Sequence, residues 1–196
     1  MMNDRLDANA VHFQIPIGDG DDFEGMVDLV TMKAYNFDEL EFEEIEIPDD
    51  LKQEAATRRD EMLETLADYD EELMMQYLEE EDIEPETIRR AARKAVNNLC
   101  ITPVFCGSAL KNKGVRFVMD AIVDYLPSPI DRGAITGKEP NESEDAITRK
   151  PSVNRPTSAI AFKITNDPYV GQQTFVRVYS GSLDQGEYIF NPSKEE

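Results

Sequence analysis

The chain has 196 residues, room for one large domain or two small ones, and its 40% hydrophobic and 31% charged content can fill a core. Acidic residues number 41 against 20 basic ones, a formal charge of −21. Such a surface repels phosphate backbones, which argues against unaided nucleic-acid binding and for a protein partner with a lysine-rich face. No opening stretch has signal-peptide form and none approaches the roughly 20 apolar residues of a membrane span, so a cytosolic chain away from membranes is expected.

Val11 to Ile17 alternates, with Phe13, Ile15 and Ile17 on one face, and predicts a strand. His12, the sole histidine, has no base or nucleophile beside it and reads as structural or exposed rather than catalytic. Gly18 to Asp22 is a hairpin turn. Its carboxylates resemble a calcium loop, but Phe23 and Glu24 occupy positions where an EF-hand needs ligand and glycine, so no metal site is expected. Strands follow at Gly25 to Val30 and Leu40 to Ile47. In the latter, Leu40 and Phe42 share one parity and Ile45 and Ile47 the other, which predicts a bulge near Glu43-Glu44.

Three helices come next. Pro48-Asp49-Asp50 opens the first, where Asp50 and Gln53 have capping-box spacing. Its apolar stripe is Leu51, Ala55, Met62 and Leu66, which turns Glu54, Asp60, Glu61 and Glu64 outward. The second uses Leu73, Met74, Tyr77 and Leu78, with Met74-Met75 expected as core filler. The third starts near Pro85 and packs Ile88, Ala91, Ala92, Ala95 and Val96. Arg89, Arg90, Arg93 and Lys94 make it the basic helix, suited to pairing with acidic neighbours.

A strand at Thr102 to Cys106 then ends in a small-residue turn, and an amphipathic helix runs from about Val115 to Tyr125. Cys100 and Cys106 would lie about 20 Å apart on one straight strand, beyond disulfide reach, and read as buried thiols of a reducing compartment. Pro127 and Pro129 stop the helix. Thr136 to Pro156 reads as a polar loop, after which strands alternate at Ile160 to Ile164, Phe175 to Tyr179 and Tyr188 to Phe190. Three strands in some forty residues are few for an independent domain.

The turn after Cys106 carries the chemistry. Gly and Ser at the carboxyl end of a strand, before a helix, let backbone N–H groups approach a ligand's acceptor oxygens. Ser108-Ala109-Leu110-Lys111 resembles the guanine-reading Ser-Ala-x-Lys motif of GTP-binding proteins. Taken alone, Ser108 reads as a turn or helix-capping serine, and a solvated lysine stem would look the same as Lys111.

Four stretches together resemble the elongation factor G family of translational GTPases: Phe23 to Val30, Cys106 to Val115, Asp124 to Pro129, and Phe162 through Asp167-Pro168 to Gly181. The resemblance implies an α/β fold. Residues 1–130 would be the C-terminal part of a GTPase domain with a phosphate-loop NTPase-like sheet, holding an α+β insertion subdomain at about 18–100. Residues 131–156 would be a linker, and 157–196 the start of an incomplete antiparallel β-barrel domain. It also implies that the Ala109 N–H reads the guanine O6 while Ser108, Leu110 and Lys111 shape the pocket wall. The helix bearing Glu54, Asp60, Glu61 and Glu64 would meet the ribosomal stalk protein.

Other family signatures are missing. Gly133 to Lys138 is one residue short of a phosphate loop and is followed by Glu139; Asn112-Lys113-Gly114-Val115 has valine where the guanine-reading aspartate belongs. The expectation is therefore a fragment that neither binds GTP by itself nor hydrolyses it. GTP or GDP, magnesium and any catalytic residue would belong to the parent, which acts on the ribosome. A ribosome-protection or release factor of related type, and an autonomous acidic interaction module, remain as alternatives.

Overall fold

The structure, a computed structural model, describes residues 2–38, 41–138 and 146–194. It is a mixed α/β chain dividing into two units, Met1–Leu126 and Pro127–Glu196. In the first, a short helix α1 (Met2–Leu6) precedes β1 (Ala10–His12) and β2 (Gln14–Ile17). Next come β3 (Gly25–Asp28), β4 (Lys33–Asp38) and β5 (Glu41–Ile45), then helices α2 (Lys52–Ala67), α3 (Glu71–Leu78) and α4 (Pro85–Asn97). The unit closes with β6 (Thr102–Val104) and α5 (Val115–Tyr125).

The expected first strand is two strands. At Phe13 the chain bends and changes partner: β1 runs parallel to β6, while β2 pairs antiparallel with β3. A strand absent from the sequence reading, β4, joins β3 to β5, giving the order β2-β3-β4-β5. No bulge interrupts β5, which pairs without a break from Asp38↔Glu41 to Ala34↔Ile45. The two parities instead serve two packed faces. Ile15, Val27, Ala34 and Ile45 face a large core shared with α2 and α4. Met26, Tyr35 and Phe37 face a smaller cluster with Phe23, Cys106 and Phe117 of α5. Phe42 joins that second face through rings 4.9 Å from Phe117 and 5.6 Å from Tyr35. Leu40 lies outside the described residues, and Ile47 lies beyond the end of β5.

α2 begins two residues after the expected cap. The turn Pro48–Lys52 is closed by Leu51 and Lys52 N–H groups donating to the Pro48 carbonyl, and no side chain caps the helix. Asp49 instead binds Lys52 at 2.6 Å. The stripe Ala55, Met62 and Leu66 is buried as its spacing requires. Half-buried Arg59 reaches across to the carbonyls of Leu29 (2.6 Å), Val30 (2.8 Å) and Ile83 (3.3 Å), tying α2 to the end of β3. α4 buries all five expected residues and opens on Pro85. Its basic face is paired: Arg90 with Glu72, Lys94 and Arg90 with Asp70, Arg89 with Asp124.

α3 corrects the sequence reading. Only Leu73 is buried; Met74, Met75 and Leu78 are exposed, because α2 and α4 already fill the core on the single face that α3 presents. The cysteines are corrected too. Cys100 precedes β6 rather than sharing it, and both thiols are half-buried and free.

In the second unit, Ser128 and Asp131 form a reciprocal capping box on the four-residue helix α6 (Pro129–Arg132). The stretch read as loop contains β7 (Ile135–Lys138) paired antiparallel with β8 (Ala146–Arg149), four residues each, too short to show a period. β9 (Ser158–Asp167) and β10 (Gly171–Ser180) make a long ribbon with register shifts after Phe175 and Val178. Gly181 follows with φ 74°, where a Cβ would meet Thr157 Oγ1 at 2.5 Å. Tyr188 to Phe190 is not a strand: it is exposed, and among the described residues no strand pairs with it.

Candidate functional site

The Ser108–Lys113 loop stands at the carboxyl end of β6. It is closed by two reciprocal backbone hydrogen bonds, Ser108 N–H to the Lys113 carbonyl (2.9 Å) and Lys113 N–H to the Ser108 carbonyl (3.0 Å). Inside them Asn112 N–H donates to the Ala109 carbonyl at 3.2 Å, with Asn112 in the left-handed region at φ 53°. Asparagine tolerates that region better than most residues. Gly114 (φ 77°) leads directly into α5, and a Cβ there would sit 2.9 Å from the Cys106 carbonyl. This close approach explains glycine at the junction.

The tip is exposed. Ala109, Leu110 and Lys111 face solvent, Leu110 almost completely, and Ser108 is half-buried. Among the described residues the Ala109 and Leu110 N–H groups donate to no acceptor. Two unengaged amides on a constrained, accessible turn are free to bind an oxygen acceptor. The four expected residues are therefore brought together, although Leu110 and Lys111 form no enclosed wall. Lys111 donates to the Asp21 carbonyl at 3.3 Å and lies 3.6 Å from its carboxylate, so it is engaged rather than free.

Sequence reasoning assigned no role to two further residues. Lys113 donates to the Phe23 carbonyl at 2.7 Å in a partly buried bond. Gln14, 5% exposed, accepts from the Cys106 N–H at 3.3 Å through Oε1. A polar Gln14 between Phe13 and Ile15 was the signal available. Burial pushes the neighbouring Cys106 thiol up to about 11, which keeps it protonated and unreactive.

The acidic face of α2 is exposed as expected, but its carboxylates have partners. Arg58 lies between Glu54 (4.0 Å) and Glu61 (2.8 Å), and Asp60 accepts from the Tyr77 hydroxyl at 3.0 Å. That hydrogen bond raises the Tyr77 pKa. Glu64 is exposed on the same helix.

A cleft of about 400 Å³ lies between β3, β4, α4 and α5, lined in part by Asp28, Arg89, Asp124 and Tyr125. Asp28 Oδ1 accepts from the N–H groups of Val30 (2.7 Å) and Thr31 (3.2 Å). Burial nonetheless raises its pKa above the usual carboxylate value, with those hydrogen bonds and Arg89 opposing. His12 is exposed in β1, and among the described residues no three His, Cys, Asp or Glu side chains converge as a metal site.

No protein-family model matches the chain. A curated relative, elongation factor G of Salinibacter ruber, is 51% identical over 201 residues, covering all of this chain and 28% of that protein. A crystal structure of a protein from Thermus thermophilus superposes with a TM-score of 0.71 at 28% identity, covering 95% of this chain and 25% of that one. The chain thus spans about a quarter of the length of these two proteins. By sequence, it belongs to the elongation factor G family, as a segment aligned from end to end with part of that factor.

Proposed function

We propose that this segment supplies the guanine-reading loop and the partner-binding insertion of a GTP-hydrolysing translation factor that drives ribosomal translocation in the cytoplasm. One observation carries the reading: Ala109 and Leu110 hold unengaged N–H groups on an exposed, hydrogen-bond-closed turn after a parallel strand. Guanine presents an acceptor oxygen at position 6 where adenine presents an amino donor, so an N–H aimed there accepts one base and rejects the other. Ser108 anchors the turn, and Leu110 and Lys111 flank the base.

On this reading β1 and β6 belong to a phosphate-loop NTPase-type sheet, residues 18–100 form the insertion, and residues 157–196 open a β-barrel domain reached through 131–156. The turn fits a base edge. The sequence carries no Gly-x-x-x-x-Gly-Lys-Ser/Thr phosphate loop, so this reading assigns the triphosphate, its magnesium and the hydrolytic groups to other parts of the factor. One amide hydrogen bond contributes only about 0.5–1.5 kcal/mol. Calorimetry of this chain with GDP and magnesium should therefore show no micromolar binding, and such binding would refute the division of labour.

The insertion's α2 is the proposed contact for the ribosomal stalk protein through Glu54, Asp60, Glu61 and Glu64. Steering by these carboxylates speeds association and weakens with salt. Glu64→Lys should lower the association rate with the isolated stalk domain severalfold at low salt, and little at about 0.5 M salt, where the screening length is only a few ångströms. An association rate insensitive to both changes would refute this surface.

A further inference from the structure

We propose that the β2–β3 hairpin braces the base-reading turn, with Lys113 and Gln14 as positioning residues: Lys113 couples the insertion to guanine recognition, and Gln14 ties the turn to the strand that leads into the insertion. The inference rests on the guanine-loop reading above. Three contacts join segments about 90 residues apart in sequence: Lys113 Nζ to the Phe23 carbonyl at 2.7 Å, Lys111 Nζ to the Asp21 carbonyl at 3.3 Å, and Cys106 N–H to Gln14 Oε1 at 3.3 Å. They grip the turn at both ends. Gln14 holds the entry beside Cys106, and Lys113 holds the exit, the same residue whose backbone closes the loop onto Ser108.

The receiving side is stiff. Gly18 takes φ 77°, and a Cβ there would collide with the Asp22 carbonyl, so the hairpin has one tight path. Glu24 N–H returns to the Ile17 carbonyl at 3.0 Å, and the Phe23 ring is buried against Phe37. A lysine bonded to a carbonyl in such a frame fixes a position rather than supplying a mobile charge. Gln14 adds selectivity of placement, since its buried oxygen would lose its partner if the Cys106 amide moved away. Motion of the hairpin is thereby transmitted to the Ala109 amide chiefly through the two partly buried bonds, Lys113 to Phe23 and Cys106 to Gln14.

Lys113→Met keeps the stem and removes the donors; Lys113→Arg restores a donor; Gln14→Leu removes the acceptor. In the present chain, amide hydrogen exchange at Ser108 and Lys113 should rise about tenfold in Lys113→Met, with the exchange of α4 unchanged, and return toward the parent value in Lys113→Arg. In the intact factor carrying this segment, Lys113→Met and Gln14→Leu should each weaken GDP binding about tenfold, the scale of one hydrogen bond to a charged or buried group. They should also lower the preference for GDP over ADP, which a general loss of stability would leave alone. Ala109→Pro, which deletes the amide itself, separates the two ideas. Unchanged exchange in Lys113→Met overturns the brace. Loss of GDP binding in Ala109→Pro with none in Lys113→Met overturns the brace while sparing the guanine loop. Full GDP binding in Ala109→Pro overturns the guanine loop, and the coupling with it.

Discussion

Two strands with the same alternation meet opposite fates in the two units. In β2, Ile15 is buried at 3% exposure, covered by α2 and α4; in β9, Phe162 keeps 60% of its surface in water. Every buried apolar residue among those described belongs to the first unit, and Ser180 is the one buried residue in the second. The ribbon β9–β10 is held by its ladder and by contacts along its own surface, such as Arg177 over the Phe162 ring at 5.9 Å. An alternating pattern thus states that a strand has an apolar face. It does not state that anything covers that face.

The sharpest way to break this comparison is a pair of truncations. Leu66→Ala empties a fully buried site and should cost about 2–5 kcal/mol, seen as a lower denaturant midpoint for the exchange-protected amides of α2 and α4. Phe162→Ala removes a larger side chain yet should cost less than about 1 kcal/mol, because most of its surface is already hydrated. Equal costs would mean that the second unit owns a core of its own, and the contrast would fail.

The same contrast explains what could be read from sequence. α4 was legible because its five apolar residues all face one core, and α5 because Gly114 marks its start and Leu126-Pro127 its end. The strand β4 was not. Ala34 packs on one face of its sheet while Tyr35 and Phe37 pack on the other, so burial on both sides erased the period of two. The bulge expected in β5 came from the same cause. In α3, three apolar residues at helical spacing point to water, and nothing local distinguishes them from a core stripe. The candidate turn was legible in Ser108 to Lys111 as residue types on a strand-loop-helix. Its attachment to Asp21, Phe23 and Gln14 was not, since a contact spanning about 90 residues depends on the whole sheet being assembled.

A smaller effect tests whether the first unit's core also governs its electrostatics. Asp28 sits where burial disfavours its charge, so its folded pKa lies above the unfolded one. The protonated form is therefore favoured by folding. The ionised form carries a stability cost that is present in full above the folded pKa and disappears as pH falls below the unfolded value. Asp28→Asn keeps an oxygen for the Val30 and Thr31 N–H groups while deleting the charge. It also deletes the attraction of Arg89, which partly offsets the gain. The variant should be modestly more stable than the parent at about pH 7, by a fraction of the Leu66→Ala effect, and the difference should shrink toward zero near about pH 3.5. Urea midpoints at both pH values measure it. A variant less stable than the parent at neutral pH, and relatively better in acid, would show that attraction to Arg89 outweighs burial. The cleft would then belong electrostatically with the exposed ribbon rather than with the core.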